Sequence, residues 1–245
     1  MKRTVLITGS SRGIGAATAI KFAENGFNVV INYNNSKEAA LELLKRVRDQ
    51  GVVAIAVKAD VSKFEEAKIL IQKAIDEFGT IDVLVNNAGV AQQKLFTDLT
   101  EKDWENMFRV NVQSMFNCCK LVAPYMLKNH SGKIVNVSSV WGVCGASCEV
   151  HYSASKSAVI GFTKALAKEF GPSGINVNCV APGVIDTDMN ANISDADMQD
   201  LVENTPLMRL GKPEDIANLI YFLGGKYSNF ITGQVIGCDG GFYIN

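Results

Sequence analysis

The chain has 245 residues, of which 47% are hydrophobic and 20% charged, and its formal net charge is −1. This composition predicts a globular core and excludes disordered and fibrous proteins, while the balanced charge gives no positive field to attract nucleic acid or anionic lipid. No apolar run approaches the roughly 20 residues of a membrane span, and the six cysteines form no C-x-x-C pair, so we expect a cytoplasmic protein without a metal site.

Short apolar runs alternate with helical patterns from one end of the chain to the other. Seven runs predict β-strands, at residues 5–8, 29–32, 52–57, 83–85, 133–138, 176–180 and 234–237. Each run is continuously apolar, as in parallel sheets that are covered by helices on both faces. No linker divides the pattern, so we predict a single doubly wound Rossmann-type α/β domain over residues 1–245, with a mostly parallel seven-stranded sheet.

Capping signals mark the starts of two predicted helices. Residues 62–65 (Ser-Lys-Phe-Glu) fit a capping box, and Pro213 fits the first turn of a helix. Right-handed crossovers bring the carboxyl ends of parallel strands to one edge of the sheet, where α/β proteins bind their ligands. Polar residues at those strand ends are therefore the candidates for a site.

A glycine-rich turn follows the first predicted strand and leads into a helical stretch. The turn reads Thr8-Gly9-Ser10-Ser11-Arg12-Gly13-Ile14-Gly15. Its glycines allow the backbone to turn tightly and approach a pyrophosphate, which the free amides of a helix N-terminus bind. The spacing G-x-x-x-G-x-G differs from the commoner G-x-G-x-x-G, so a glycine-rich turn without a ligand is the alternative interpretation.

The residues after the second predicted strand bear on the choice of cofactor. An acidic residue there would bind the ribose 2′-hydroxyl and repel a 2′-phosphate, but residues 32–37 (Asn-Tyr-Asn-Asn-Ser-Lys) contain none. Arg12 can approach a 2′-phosphate from the glycine-rich turn. We therefore predict NADP rather than NAD, the alternative being that Arg12 and Lys37 are solvated surface charges.

Further polar residues stand at other predicted strand ends or on helix faces. Asp60 either contributes to a site or simply precedes the predicted cap at Ser62. Asn111 shares an apolar helix face with Trp104, Phe108, Met115 and Cys118. A buried amide needs hydrogen-bond partners, which indicates either a structural hydrogen bond or a water network that serves a site.

Tyr152 and Lys156 stand four residues apart in a predicted helix, so they share one face. A free phenol has a pKa near ~10, and lowering it by about 3 units requires roughly 4 kcal/mol in favour of the phenolate. A neighbouring ammonium supplies part of that energy. The alternative is a pair of surface residues without a role in a site.

Taken together and in this order, the motifs resemble the short-chain dehydrogenase/reductase family over essentially the whole chain. The matching motifs are Thr8-Gly9-x-x-x-Gly13-Ile14-Gly15, Asp60, Asn86-Asn87-Ala88-Gly89, Asn111, Ser139, Tyr152-x-x-x-Lys156, and Pro182-Gly183 followed by Thr187. Ser139 is preferred to Ser138 because it stands thirteen residues before Tyr152, as in related reductases. The resemblance implies an NADP-dependent oxidoreductase that interconverts ketones and secondary alcohols.

The same resemblance implies a role for each residue. Tyr152 would protonate the carbonyl oxygen as hydride arrives from the cofactor, Ser139 would polarise that oxygen, and Lys156 would bind the nicotinamide ribose and lower the pKa of Tyr152. Asn111 would support a water-linked proton path to Lys156. The implied cofactor contacts are Gly9, Ser11, Arg12, Gly13, Ile14, Gly15, Asp60, Val61, Asn87, Ala88, Gly89, Tyr152, Lys156, Pro182, Gly183 and Thr187. The implied substrate contacts are Ser139, Glu149 and Tyr152.

Within the family, the chain is most similar to tetrameric reductases of fatty acid synthesis that act on 3-oxoacyl groups held by acyl carrier protein. Two features depart from that pattern. His130 and residues 171–174 stand where arginines usually dock the acidic carrier, and Glu149 stands where glutamine is common. Residues 184–205, which we expect to form a substrate lid, contain six acidic residues and no Lys or Arg.

This charge balance suits a neutral or cationic ketone. The residues before Tyr152 are also similar to those of reductases thought to act on an aminoketone attached to elongation factor P. A solvated, mobile lid is the competing explanation for the acidic residues.

The motifs of two other enzyme classes are absent from the sequence. The chain has neither the G-x-S-x-G of a serine hydrolase nor the G-x-x-x-x-G-K-[ST] of a P-loop hydrolase. A dinucleotide-binding sensor would lack Tyr152 or Lys156, and both are present. The apolar run at residues 219–223 resembles a subunit-packing helix of the family, with burial inside one subunit as the alternative, and a homotetramer is expected.

Overall fold

A computed structural model describes residues 2–190 and 194–244. Seven strands form one sheet in the order β3-β2-β1-β4-β5-β6-β7, and every neighbouring pair is parallel. The strands are β1 (Thr4–Ile7), β2 (Asn28–Tyr33), β3 (Ala54–Lys58), β4 (Val83–Asn86), β5 (Gly132–Val137), β6 (Ile175–Pro182) and β7 (Val235–Cys238). The doubly wound fold and all seven predicted strands are confirmed.

Helices cover both faces of the sheet. They are α1 (Gly13–Glu24), α2 (Lys37–Arg48), α3 (Phe64–Phe78), α4 (Glu101–Phe108), α5 (Ser114–Asn129), α6 (Trp141–Cys144), α7 (Val150–Phe170), α8 (Asp195–Glu203) and α9 (Pro213–Gly224). In the part of the chain that the structure describes, every helix is too short or too polar to span a bilayer.

The core lies in two apolar layers because successive strand residues face opposite sides of the sheet. Leu6 and Leu84 face one layer, where they pack with residues of α3, α5 and α7. Val5 and Ile7 face the other layer, with residues of α1, α2 and α9. Continuous apolar runs were therefore the correct signal for strands buried on both faces.

Helix α9 begins where the sequence predicted, and the apolar side chains of residues 219–223 pack mainly within the subunit. Pro213 occupies the first turn, as predicted. Ile216, Ile220 and Leu223 are buried in the layer that α9 shares with α1, while Phe222 is 41% exposed. Packing within the subunit thus accounts for most of this run.

The predicted capping box at residues 62–65 is wrong. The residue that precedes α3 is Lys63, and its side chain does not cap the helix. The Ser62 hydroxyl instead donates to Asp60 Oδ1 at 2.6 Å, and Asp60 Oδ1 also accepts from the Ser62 backbone amide at 3.1 Å. Asp60 and Ser62 form a hydrogen-bonded turn, so the Ser62 hydroxyl does not cap the helix.

The cysteines differ in exposure. Cys118, Cys119 and Cys179 are buried, whereas Cys144 is exposed at the end of α6. Burial raises the pKa of Cys119 to about 12 and that of Cys179 to about 11. These buried thiols stay protonated at neutral pH and behave as small apolar side chains.

Candidate active site

Two adjoining cavities lie at the carboxyl edge of the sheet. The glycine-loop cavity, of about 580 Å³, is bordered by the turn after β1 and by the ends of β2 and β3. The tyrosine cavity, of about 210 Å³, is bordered by the end of β5 and the start of α7. They share the lining residues Ile14, Asn87, Gly89, Val90, Ala91, Thr187 and Met189. The two cavities are therefore parts of one cleft.

The glycine loop is held against the end of β4. Gly9 and Gly13 have φ of 59° and 56°, in the left-handed region that favours glycine. A Cβ on Gly9 would lie 2.9 Å from Ala88 Cα, and one on Gly15 would lie 2.7 Å from Asn87 Nδ2. Asn87 Nδ2 donates to the carbonyls of Thr8 and Gly9, both at 3.0 Å. Gly15 is thus required for packing and lines neither cavity.

The glycine loop also fits the phosphates of a dinucleotide. No side chain caps the N-terminus of α1, so its first-turn amides are free to bind an anion. Gly9, Ser11, Arg12 and Gly13 all line the cavity next to these amides. The residues present therefore fit a dinucleotide cofactor.

Asn32 is a structural residue of the cleft that the sequence analysis did not single out. Its Oδ1 accepts from the Gly9 amide at 3.1 Å, and its Nδ2 donates to the Ala59 carbonyl at 3.0 Å. The side chain is 2% exposed and ties the glycine loop to the residues after β3. An amide within an otherwise apolar strand was the signal that could have identified it.

Several charged residues border the glycine-loop cavity, but the described residues that line it directly after β2 are uncharged. Arg12 Nη1 lies 3.5 Å from Asp188 Oδ2, and both side chains are largely exposed. Asp60 lies beside Val61 in the cavity wall, with its Oδ2 3.6 Å from Arg109 Nη1. Asp60 is therefore both a turn-forming residue and a cavity residue.

Ser139, Tyr152 and Lys156 line the tyrosine cavity together. Lys156 Nζ lies 5.7 Å from the centroid of the Tyr152 ring, as expected for residues one helical turn apart. The ammonium donates to the Val137 carbonyl at 3.0 Å. The Ser138 hydroxyl also lines this cavity but donates to the Lys156 carbonyl at 2.8 Å, whereas the Ser139 hydroxyl is the one that interacts with Tyr152.

Burial controls the ionisation of these groups. Burial raises the pKa of Tyr152 to about 12, the Ser139 hydroxyl opposes that rise, and the charge of Glu149 adds to it. Burial lowers the pKa of Lys156 to about 8. The lowering of the Tyr152 pKa expected from Lys156 is therefore not seen, because desolvation of the phenolate dominates. At neutral pH the phenol carries its proton.

Asn111 forms structural hydrogen bonds and lines neither cavity. It lies in a π-helical turn, Arg109–Gln113, between α4 and α5. Its Oδ1 accepts from the Val90 amide at 2.8 Å, and its Nδ2 donates to the Val90 carbonyl and to Ser155 Oγ, both at 3.0 Å. Asn111 thereby fastens the loop after β4 to α7, next to Lys156.

The remaining candidates lie around the tyrosine cavity. Glu149, Pro182, Gly183 and Thr187 all contribute to its wall. The predicted lid at 184–205 contributes Met189, Asn190 and Leu201, while its residues 191–193 lie outside the described residues.

His151, the neighbour of Tyr152 in the chain, is fully buried and does not line either cavity. Its Nε2 lies 3.0 Å from Gln92 Oε1. Burial lowers the pKa of this imidazole.

The fold and the cleft define a dinucleotide-binding α/β protein in which Tyr152 and Lys156 line the cavity that adjoins the glycine-loop cavity. The pattern of the family described as short chain dehydrogenase matches residues 3–198, and the chain belongs to that family.

Relatives and a solved structure resemble nearly the whole chain. A 3-oxoacyl-[acyl-carrier-protein] reductase FabG of Staphylococcus epidermidis is 41% identical over 244 residues, covering 100% of both chains. A 3-oxoacyl-[acyl-carrier-protein] reductase of Synechocystis is 42% identical over 243 residues, covering 99% of this chain and 97% of the relative. The crystal structure of a 3-oxoacyl-[acyl-carrier protein] reductase from Brucella melitensis superposes with a TM-score of 0.93 at 35% identity, covering 99% of this chain and 92% of the other.

Proposed function

We propose that this chain is an NADPH-dependent carbonyl reductase that converts 3-oxoacyl groups on acyl carrier protein into 3-hydroxyacyl groups in fatty acid synthesis. The observation that carries the proposal is the continuity of the two cavities, with Ser139, Tyr152 and Lys156 lining the smaller one. The relatives of this length and identity support the same substrate.

The side chains divide the work of the reaction. Bound NADPH supplies the hydride. Tyr152 holds a proton that it donates to the ketone oxygen, and the Ser139 hydroxyl orients and polarises that oxygen. Lys156 lines the tyrosine cavity beside Gly89, which borders both cavities, and a Cβ on Gly89 would lie 3.4 Å from its ammonium. Asn111 positions the loop and helix that hold these groups.

The cofactor assignment follows from the glycine-loop cavity. The free amides at the start of α1, with Gly9 and Gly13, would hold the phosphates, while Gly15 would serve the packing of the glycine loop. Asp60 and Val61 would hold the adenine. Asn87 to Gly89 and the turn at Pro182 and Gly183 would hold the ribose and nicotinamide, and Thr187 would hold the carboxamide. Arg12 and the absence of an acid in residues 32–37 favour the 2′-phosphate of NADPH over the free hydroxyl of NADH.

The deciding experiment follows oxidation of reduced nicotinamide by its absorbance, with a 3-oxoacyl group on acyl carrier protein as substrate. We expect turnover with NADPH and much slower turnover with NADH. Cofactor binding without oxidation, across a panel of ketones as well, would instead identify a dinucleotide sensor.

Two further parts of the proposal concern the molecule around the site. The segment at 184–205 acts as a substrate lid, supported by Met189 and Leu201 in the wall of the tyrosine cavity. The chain is a single domain that assembles as a homotetramer, supported by large apolar side chains exposed on α4 and α5.

A further inference from the structure

Glu149 brings a carboxylate into the wall of the tyrosine cavity. It immediately precedes α7 and is only 9% exposed. Among the described residues that line this cavity, Glu149 and Lys156 are the charged ones. Lys156 donates to the Val137 carbonyl at 3.0 Å. Glu149 is therefore the one acidic side chain among the described residues of this cavity wall, and the one cation there is already hydrogen bonded to the backbone.

This carboxylate has no cationic partner within the described part of the chain. Gln93 Nε2 donates to Glu149 Oε1 at 3.4 Å, which is a long hydrogen bond. Buried carboxylates are normally paired with a cation or strongly hydrogen bonded, because their desolvation is costly. Even Asp103, which is more exposed, has a cation, with Lys94 Nζ 2.8 Å from its Oδ2.

We infer that Glu149 sets the charge preference of the substrate cavity: it favours ketones that carry an ammonium group near the reacting carbonyl and disfavours those that carry a carboxylate there. The inference rests on the proposed reductase function and is compatible with a neutral thioester. A charge in this partly buried wall is poorly screened by salt, so a preference of about tenfold is expected for each charged group.

Two pairs of ketones test this preference with the protein saturated with NADPH. One pair is acetonyltrimethylammonium and its uncharged tert-butyl isostere, and the other is acetoacetate and acetoacetamide. The substituents also change the intrinsic reactivity of each carbonyl, so the test is the change in each kcat/KM ratio when the charge of Glu149 is removed. Glu149→Gln should lower the preference for the cation over its isostere, and for acetoacetamide over acetoacetate, by about tenfold relative to the wild-type protein.

Glu169→Gln is the matched control, because Glu169 is exposed at the far end of the same helix. It should leave both ratios at the wild-type values. Glu149→Ala provides a second variant in case the glutamine variant fails to fold, as judged by circular dichroism. Ratios that Glu149→Gln leaves at the wild-type values would overturn the inference.

Binding measurements separate this inference from the proposed function. Dissociation constants of the four ketones, measured by calorimetry in the presence of NADP⁺, which has no hydride to transfer, report the charge preference even if no ketone is reduced. Charge-dependent binding without reduction of these ketones or of a 3-oxoacyl group on acyl carrier protein would refute the reductase and uphold the role of Glu149. Reduction of the ketones together with binding that does not depend on their charge would uphold the reductase and refute the role of Glu149.

Discussion

Tyr152 is buried and protonated at neutral pH, which is the form that a proton donor needs. Tyr152→Phe removes the proton and keeps the ring that fills the cavity wall. We expect kcat to fall by about 10²- to 10⁴-fold, the usual contribution of general acid catalysis, while the dissociation constant for NADPH changes little. Stopped-flow reduction and fluorescence titration measure the two quantities. Tyr221→Phe on α9 is the control, and near-normal turnover of the Tyr152 variant would remove Tyr152 from the mechanism.

Lys156 makes the stability of the fold depend on pH. Its pKa is lowered to about 8 by burial, from 10.5 in the unfolded chain. Between these values the unfolded chain binds more protons than the folded chain, so Lys156 makes stability rise with pH above about 8, by up to about 1.4 kcal/mol per pH unit.

Urea unfolding at pH 7, 8 and 9 should show this rise in the wild-type protein relative to Lys156→Met. The exposed Lys73→Met is the control and should follow the wild-type protein. Parallel pH profiles for the wild-type protein and the Lys156 variant would contradict the burial argument.

Arg12 should determine the preference between the two nicotinamide cofactors. At a hundredfold excess over its dissociation constant, NADPH should raise the free energy of unfolding by about 2.7 kcal/mol. Arg12→Ala should reduce the stabilisation by NADPH at a fixed concentration towards that by NADH. Lys37→Ala tests the other cation near the end of β2 and should preserve the difference. Equal stabilisation of the wild-type protein by both cofactors would contradict the assignment.

At the scale of elements, a short strap fastens the loop after β4 to the start of α7. The strap consists of Gln92, Gln93 and Lys94. Gln92 contacts His151, Gln93 contacts Glu149, and the Lys94 amide donates to the Cys148 carbonyl at 2.7 Å. Asp103 of α4 accepts from Gln92 Nε2 at 3.1 Å and from Lys94 Nζ at 2.8 Å. The strap thereby joins the first turns of α4 and α7.

Gln92→Ala should weaken this junction. It leaves the buried His151 Nε2 without its partner, and an unpaired buried polar group costs about 1–3 kcal/mol. We expect that loss in urea unfolding, with a higher KM for the ketone because Gln93 lines its cavity. Gln72→Ala, which removes an exposed contact with Asp76, should change neither quantity. Unchanged stability of the Gln92 variant would show that the strap is not needed.

The strands, and the position of Tyr152 and Lys156 on one face of a helix, were predictable because both follow from residues that are close together in the sequence. The π-helical turn at Asn111 was not, because the spacing from Trp104 to Cys118 is that of a continuous helix and gives no sign of a widened turn. Ser62 was misread because the competing carboxylate lies outside the four-residue motif. The contacts of the strap with the start of α7 were also not predictable, since those partners are more than fifty residues away in the chain.

At the scale of the whole molecule, α4 and α5 expose large apolar side chains. Trp104 and Phe108 stack with their ring centroids 4.7 Å apart, and Trp104 and Phe116 are each 42% exposed. Large exposed apolar patches mark contacts between proteins. We expect light scattering to give the mass of four chains, and Phe116→Asp to shift the assembly towards smaller species. A monomer at micromolar concentration would refute the tetramer.

Because the cysteines differ in exposure, a fluorescent probe can be attached selectively near the cleft. Cys144 is exposed and closes the short helix that begins with Trp141, a residue of the tyrosine cavity wall, whereas Cys118, Cys119 and Cys179 are shielded. A brief maleimide treatment should therefore react with Cys144 ahead of these three thiols. A fluorophore attached there would sit at the rim of the cleft and report its occupancy in real time.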